Sequence, residues 1–411
     1  MAQLSDDCFA FGGALLPLDD ARAHIVARYG CSLDRNKIAV WHADRRVLAD
    51  DFIAPLNLPH ETNSAVDGYA VHHADLSPSA PTVLPVIGRA TAGHPHAAAS
   101  PNGQALRIFT GAVVPAGPDT IMMQEDCTET ADGVQIQPGI KRGANLRQAG
   151  EDIAIGAIAL AAGTRLSPAD LALLAALGNK HVVVRAPLRV VLFSTGDELA
   201  AAPAPLRPGQ IYDANRIMLG SVLARHGATV IDGGILPDDP AATVRAFRTA
   251  NADLIITSGG VSAGEEDHVR TAIVATGALE FWRVAIKPGR PVALGQVGST
   301  PLLGLPGNPV AALVTLATVG QPLLDALSGA IDAPPLRFNV TSNFAYRKKA
   351  GRREYVRVQL RDGRATRFPK EGAGIITSLT ESDALLELPE AMTNLSPGDI
   401  APCIPLGLIY G

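Results

Sequence analysis

At 411 residues the chain exceeds what one ordinary hydrophobic core organises, and roughly two to four domains are expected. Hydrophobic residues make up 47% and charged residues 18%, which excludes a disordered chain. A net charge of −5 argues against a broad nucleic-acid-binding surface while leaving room for a local basic pocket. In chain order, MAQLSDDCFA carries acids where a secretory signal carries bases. Residues 18–29 (LDDARAHIVARY) have the apolar spacing of an amphipathic helix, with acids at its start. From 55 to 139, short strand-like pieces (GYAVH, TVLPVIG, ALRIFTG, TIMMQED, GVQIQ) alternate with Gly/Pro turns and predict a small inserted β domain. SPADLALLAALG, at 167–178, predicts a helix with Ser at its cap, Pro in its first turn and Gly at its end.

Between 189 and 329 strands and helices alternate. RVVLFST, a helix over 214–227, ATVIDGGIL, a helix over 240–250 and DLIITSGG lead, after 268–276, to FWRVAI, PVALGQV and PLLGLPG. A long helix then begins near Asn308. This predicts a mostly parallel sheet covered on both faces. From about 335 onward, RFNVTSNF, EYVRVQL and ALLELPE, with turns RDGR and SPGD, predict a compact β barrel or sandwich. No uncharged apolar run reaches bilayer length, the stretch 310–319 being soon interrupted by Gln321 and Pro322. Cys8, Cys31, Cys127 and Cys403 are scattered without a CxxC pair, which favours reduced thiols. A soluble cytoplasmic protein is expected. The expected fold is a multidomain α/β protein: a helical and extended N-terminal linking domain (1–54 with 140–178), the inserted β domain (55–139), a central parallel-sheet α/β domain (179–330) and a C-terminal β-barrel domain (331–411).

Three loops follow strands of the α/β domain, where open parallel sheets bind ligands. The first is Ser194-Thr195-Gly196-Asp197-Glu198; the second runs from Ser258, Gly259 and Gly260 through Ser262 and Gly264 to Asp267; the third contains Pro306, Gly307 and Asn308. Glycines let backbone N–H groups approach an anion, and a following helix N-terminus favours phosphate. Singly, each loop also reads as plain turn chemistry. Three on one sheet edge, two bearing carboxylates, point to phosphate with Mg²⁺, for which Glu198 and Asp267 are the candidate metal ligands, capping and solvation being their alternative role. Lys287-Pro288-Gly289-Arg290-Pro291 sets two cations on a stiff loop suited to an oxyanion, or simply to the surface.

NSAVDGYAV, FTGAVVPAGPDTIMMQED, GANLRQAGED, FSTGDEL, GQIYDANR, SGGVSAGEEDH, AIKPGRP and GLPGNPV occur in one order. This series resembles that of the molybdopterin molybdenumtransferases, the MoeA and gephyrin E-domain family, over about residues 18–406. The resemblance implies an α/β domain like that of the cofactor adenylyltransferases. It also implies a homodimer with an intersubunit active cleft, transient contact with the adenylyltransferase of the same pathway, and insertion of molybdate into adenylylated molybdopterin with Mg²⁺ and release of AMP. By the same resemblance Asp67 and Asp152 face Glu198, Asp238, Asp267 and Lys287 across the dimer. Lys287 and Arg290 hold molybdate or a pterin phosphate, Asp213 and Asn215 line the cleft, and Arg352 and Ser378 contact the oxyanion. Val66 stands where relatives carry methionine, Arg290 where many carry lysine, and Ala311 where many carry serine; the last removes a possible hydroxyl donor. An adenylyltransferase would attach AMP from ATP, and the flanking domains argue against it. A scaffold role predicts a long linker or an appended partner domain, and neither is expected here; a degenerate paralogue that binds the cofactor without turnover stays the alternative, since Arg290 and Ala311 are both changed.

Overall fold

The computed structural model describes residues 15–261 and 268–411. Leu18–Arg28 forms the first helix, with Asp19 and Asp20 in its first turn and Leu18, Ala21 and Ile25 buried. Those three side chains and Tyr29 pack into the core of the α/β domain, among Leu188, Val190 and Leu323. The helix thus packs against the α/β core while lying at the start of the N-terminal segment.

The N-terminal unit is built from ribbons. Arg35–Ala39 pairs antiparallel with His181–Arg185, and Phe52–Ile53 with Ile158–Leu160. The strand ending at Arg185 therefore carries this unit past residue 178. Its partner is distant in sequence, so no local pattern reveals the pairing. The helix Pro168–Ala176 starts in a capping box: the Ser167 side chain accepts the Asp170 N–H, and Asp170 accepts the Ser167 N–H at 2.8 Å.

In the inserted domain Gly68–Val71 lies between Ala105–Ile108 and Thr120–Met123, with Val86–Ala90 on the outside. A second sheet joins Thr82–Leu84, Gly133–Ile136 and Cys127–Thr130. A Cβ at Gly68 would lie 1.8 Å from the Met122 carbonyl, so only glycine allows that strand approach.

The central sheet has the order Thr229–Leu236, Arg189–Thr195, Leu254–Ser258, Thr300–Leu305, Pro291–Val297, Gly277–Arg283. The first three pairings are parallel and the last two antiparallel, so Pro291–Val297 alone runs against the other five strands. The antiparallel edge follows from the tight turn at Gly298 (φ 60), because a parallel return needs a long crossover. Helices and apolar clusters cover both faces.

The helix after Asn308 continues through Gln321 and Pro322 to Ser328, with a π-helical segment at Leu316–Gly320. Pro322 cannot donate to the Thr318 carbonyl, and Arg22 donates to it instead at 3.4 Å. Pro309–Ser328 is long and apolar enough to cross a bilayer, yet 83% of its apolar window is buried inside the protein.

In the C-terminal domain Arg353–Arg361, Arg364–Arg367, Phe338–Ser342, Ile400–Pro405 and Ala384–Leu388 form a ring that closes on Arg353–Arg361, a five-stranded barrel. Ile286–Lys287 adds in parallel beside Arg353 and Glu354, which brings the lysine loop of the α/β domain to the barrel wall.

Candidate functional site

The three loops converge. Thr195, Gly196, Glu198, Asp213, Asn215, Asp238, Ser258, Gly259, Gly260, Pro306, Gly307 and Asn308 line one cleft of about 690 Å³ at the carboxyl ends of the parallel strands. Gly259 (φ 96) and Gly260 (φ 65) both lie in the left-handed region. A Cβ at Gly259 would lie 2.6 Å from the Thr195 carbonyl, and one at Gly260 would lie 2.7 Å from the Thr195 hydroxyl. Glycine is therefore required where two strand ends press together. The Gly259 N–H is spent on the Leu305 carbonyl at 3.0 Å, so the cradle's donors begin at Gly260.

Asn215, at the start of a helix, ties the loops together. Its Nδ2 donates to Ser258 Oγ at 2.8 Å and to the Gly307 carbonyl at 2.7 Å, while Ser258 Oγ donates to the Pro306 carbonyl at 3.3 Å. Among the described residues Asn215 Oδ1, Ser194 Oγ and Thr195 Oγ1 are buried without a hydrogen-bond partner, which marks the floor of the cleft as a place for polar occupants.

Carboxylates frame the opposite rim. The Glu198 side chain folds back over Gly196, where a Cβ would collide with it. Asp197 and Asp238 exchange bonds: each accepts the other's backbone N–H, at 3.1 and 3.2 Å. Asp213 is committed elsewhere, accepting the Arg216 N–H at 3.2 Å and Arg216 Nε at 2.9 Å. Ser262, Gly264 and Asp267 lie outside the described residues. Among the described residues no three His, Cys, Asp or Glu side chains converge as a metal group.

Lys287 does not line this cleft. Its Nζ donates to Glu354 Oε2 at 3.0 Å and to Tyr346 Oη at 3.3 Å, and Tyr346 Oη donates to the same carboxylate oxygen at 2.8 Å. Arg352 approaches the other oxygen at 3.3 Å, and Glu354 is only 1% exposed. Burial pulls the Lys287 ammonium down, but Glu354 and Tyr346 together hold it above its ordinary value. Lys287, Tyr346 and Glu354 border a second hollow of about 210 Å³, lined also by Arg357, Arg367 and Glu371. The two hollows share walls. Lys287 and Pro288 line one and Pro291 the other; Glu371, Gly372 and Ala373 line one and Gly374 and Ile376 the other. Arg290 sits in the shared loop, its carbonyl accepting the Val284 N–H at 3.2 Å.

Tyr346, Glu354, Arg357 and Arg367 are not among the residues singled out from the sequence. The available signal was a pair of charges, Glu354 and Arg357, inside the otherwise apolar strand EYVRVQL. Arg367 stacks on Tyr346 at 4.9 Å, and among the described residues the Nε atoms of Arg352 and Arg357 are buried without hydrogen-bond partners. Ser378 is fully buried, and its hydroxyl donates to the Ile375 carbonyl at 2.5 Å.

Asp67 and Asp152 line neither hollow of their own chain. Asp67 Oδ1 accepts the Thr110 N–H at 2.8 Å and its hydroxyl at 2.7 Å, bonds that hold the carboxyl below its ordinary range. Asp152 is exposed, its N–H bonded to the Leu58 carbonyl at 3.0 Å. Nearby in sequence, Ile53, Ile155 and Ile158 are exposed.

Comparison with known proteins covers nearly the whole chain. Residues 16–178 match the MoeA N-terminal region (domains I and II), 191–326 a probable molybdopterin binding domain, and 339–406 the MoeA C-terminal region (domain IV). The chain is 36% identical over 406 residues to the molybdopterin molybdenumtransferase of Haemophilus influenzae, covering 97% of this chain and 100% of that one. It is 36% identical over 374 residues to molybdopterin molybdenumtransferase 2 of Mycobacterium tuberculosis, covering 88% and 92%. The crystal structure of the molybdopterin biosynthesis moeA protein from Pyrococcus horikoshii OT3 matches with a TM-score of 0.80 at 27% identity, covering 95% of this chain and 100% of that one. The expected α/β multidomain architecture with a terminal barrel is borne out.

Proposed function

The chain belongs to the MoeA family of molybdopterin molybdenumtransferases, transferases of molybdenum cofactor biosynthesis, and from that premise we propose how its two hollows divide the reaction. The α/β cleft takes adenylylated molybdopterin, the basic hollow beside it takes molybdate, and AMP leaves as molybdenum enters the dithiolene. The observation that carries this reading is the shared wall: a glycine-lined cleft, with buried polar atoms that find no partner among the described residues, abuts a cationic hollow through two loops.

Cleaving a phosphoanhydride needs positioning and charge neutralisation more than a covalent nucleophile. The Gly260 N–H and the Gly307–Asn308 turn ahead of the long helix suit the phosphates. Asn215 keeps the two turns in register. Glu198 and Asp238 offer hard oxygen donors on the rim, a set that fits Mg²⁺, which takes one or two carboxylates with substrate oxygens; Asp267 is the further candidate. Mg²⁺ bound there supplies neutralisation of the phosphate charge. Lys287, Arg290 and Arg352 hold the molybdate. With Ala311 in place of a hydroxyl residue and the Ser378 hydroxyl spent on Ile375, the cations carry that task.

Asp67 and Asp152 complete the cleft of a partner subunit. The exposed Ile53, Ile155 and Ile158 support a homodimer, since an isoleucine-rich ribbon is suited to a protein contact. The protein works in the cytoplasm and receives its adenylylated substrate by transient contact with the adenylyltransferase that makes it.

The test is AMP release by the purified full chain from adenylylated molybdopterin with Mg²⁺, with and without molybdate. Molybdate-dependent release, lost in Glu198→Gln, is the expected result. Release indifferent to molybdate, or AMP attached from ATP instead, overturns the assignment.

A further inference from the structure

A recess away from both hollows lies at the joint between the N-terminal and α/β domains. Arg45, Arg46, Arg165 and Arg185 line it from one side, His226 and Ser328 from the other. Arg165 accounts for its charge: it donates to Asp325 Oδ1 at 3.0 Å, to Ser328 Oγ at 3.2 Å and to the His226 carbonyl at 2.8 Å. The other three do not. Arg46 donates to the Arg185 carbonyl at 2.6 Å, and Arg185 to the Leu33 carbonyl at 3.3 Å. Among the described residues none of Arg45, Arg46 and Arg185 forms an ion pair with Asp325, the partner of Arg165, or with any other carboxylate.

The helices Asn215–Arg225 and Gln321–Ser328 end at this joint, and each helix C-terminus offers about half a negative charge. With Asp325 they leave about two positive charges without a counterpart. In a protein of net charge −5 such a cluster is not a consequence of composition. Arg45 is also held at φ 61, a left-handed conformation that stores strain in a residue other than glycine. Burial pulls the Arg46 guanidinium below its ordinary value.

We propose that this recess binds one small inorganic oxyanion, such as phosphate, and that the bound anion clamps the N-terminal domain to the α/β domain. Planar guanidinium forks match an oxyanion through paired N–H donors, which a monatomic halide does not exploit. The recess offers room for atom centres of only about 20 Å³, enough for one small ion and too little for a nucleotide or a pterin.

The experiment titrates inorganic phosphate into the full-length protein in chloride buffer at constant ionic strength, read by calorimetry and by thermal unfolding. The expected result is a saturable site that raises the unfolding temperature and survives Arg290→Gln in the shared catalytic loop. Arg46→Gln weakens it by about tenfold or more. Because Arg46 is partly buried, Arg45→Asn serves as a second variant: Arg45 is exposed, and asparagine tolerates its backbone conformation. It weakens phosphate binding in the same direction without loss of fold. Absence of saturable binding, competition by chloride at equal concentration, or binding lost in Arg290→Gln but intact in both arginine variants overturns the proposal.

Discussion

Gly259→Ala, compared with Gly307→Ala, tests whether the glycine cradle is a rigid phosphate site. The two residues face each other, yet their surroundings differ. At Gly259 a methyl meets the Thr195 carbonyl at 2.6 Å and its hydroxyl at 2.9 Å, and the backbone lies at φ 96. The left-handed conformation costs an alanine ~1–2 kcal/mol, and overpacking against backbone adds ~1–3 kcal/mol. Because the Gly259 N–H bonds Leu305, any shift carries Gly260 and the neighbouring strand end with it. At Gly307 the new methyl meets only the Gly259 Cα, at an ordinary 3.6 Å, and no left-handed backbone is involved. Gly259→Ala should lower stability by ~2–5 kcal/mol and weaken AMP binding about tenfold or more; Gly307→Ala should leave AMP binding within about twofold of the parent. Calorimetric titration with AMP and urea unfolding of both variants measure this. Equal AMP affinities in the two variants would refute the reasoning, because the cradle would then neither resist distortion nor hold phosphate.

Ile158→Asp, at a side chain 59% exposed, should change the subunit's own stability by less than ~0.5 kcal/mol while shifting sedimentation towards monomer and abolishing AMP release; a dimer that stays intact and active removes the intersubunit reading. Glu354→Gln leaves Lys287 and Arg352 facing a neutral group. It should cost ~2–4 kcal/mol in denaturant unfolding, somewhat less than a fully buried pair because Lys287 is half-exposed; a loss below ~0.5 kcal/mol would show that this contact does not hold the lysine strand to the barrel. His226 is held below its ordinary value of 6.5, chiefly by burial, with Arg165 and Arg45 reinforcing the effect and the Val222 carbonyl and Asp325 opposing it. Its contribution to stability is therefore present above pH 6.5 and lost as pH falls through its lower folded value. In phosphate-free buffer the acid-side decline in unfolding temperature should be shallower in His226→Gln, and identical profiles would contradict that linkage.

Elements whose cause is local were legible in the sequence. Ser167 with Pro168 marks a helix start, and glycine pairs after β-branched runs mark the strand ends that build the cleft. Features that depend on distant partners were not. The docking of Leu18–Arg28 on the central sheet, the pairing of Arg35–Ala39 with His181–Arg185 and the rescue of Pro322 by Arg22 all join segments far apart in the chain. The site divides in the same way. Glu198, Ser258 and Asn308 share a cleft because each follows a strand of one sheet. That Lys287 would stand in a neighbouring hollow depended on a two-residue pairing with the barrel. Asp213 carried a usable local warning: an arginine three residues on, in the first turn of a helix, is placed to consume its carboxylate.

The separation of the hollows has an electrostatic rationale. The rim of the α/β cleft is acidic, with Asp197, Glu198 and Asp238 close together, an arrangement that suits a divalent cation and repels a free oxyanion. Placing the cations in the same cleft would pair them with those carboxylates and cancel both. The barrel solves this by supplying its own buried carboxylate: Glu354 orients Lys287 and Arg352 without engaging the rim acids. Arg353 on the same strand anchors the barrel to the first helix through Asp19, at 2.9 and 3.1 Å, and to Glu390. The distance between the rim acids and the Lys287 and Arg352 cations is therefore set by how the barrel docks on the sheet. A loop carrying both charges could not keep them apart, which gives a physical reason for a separate domain at the end of the chain.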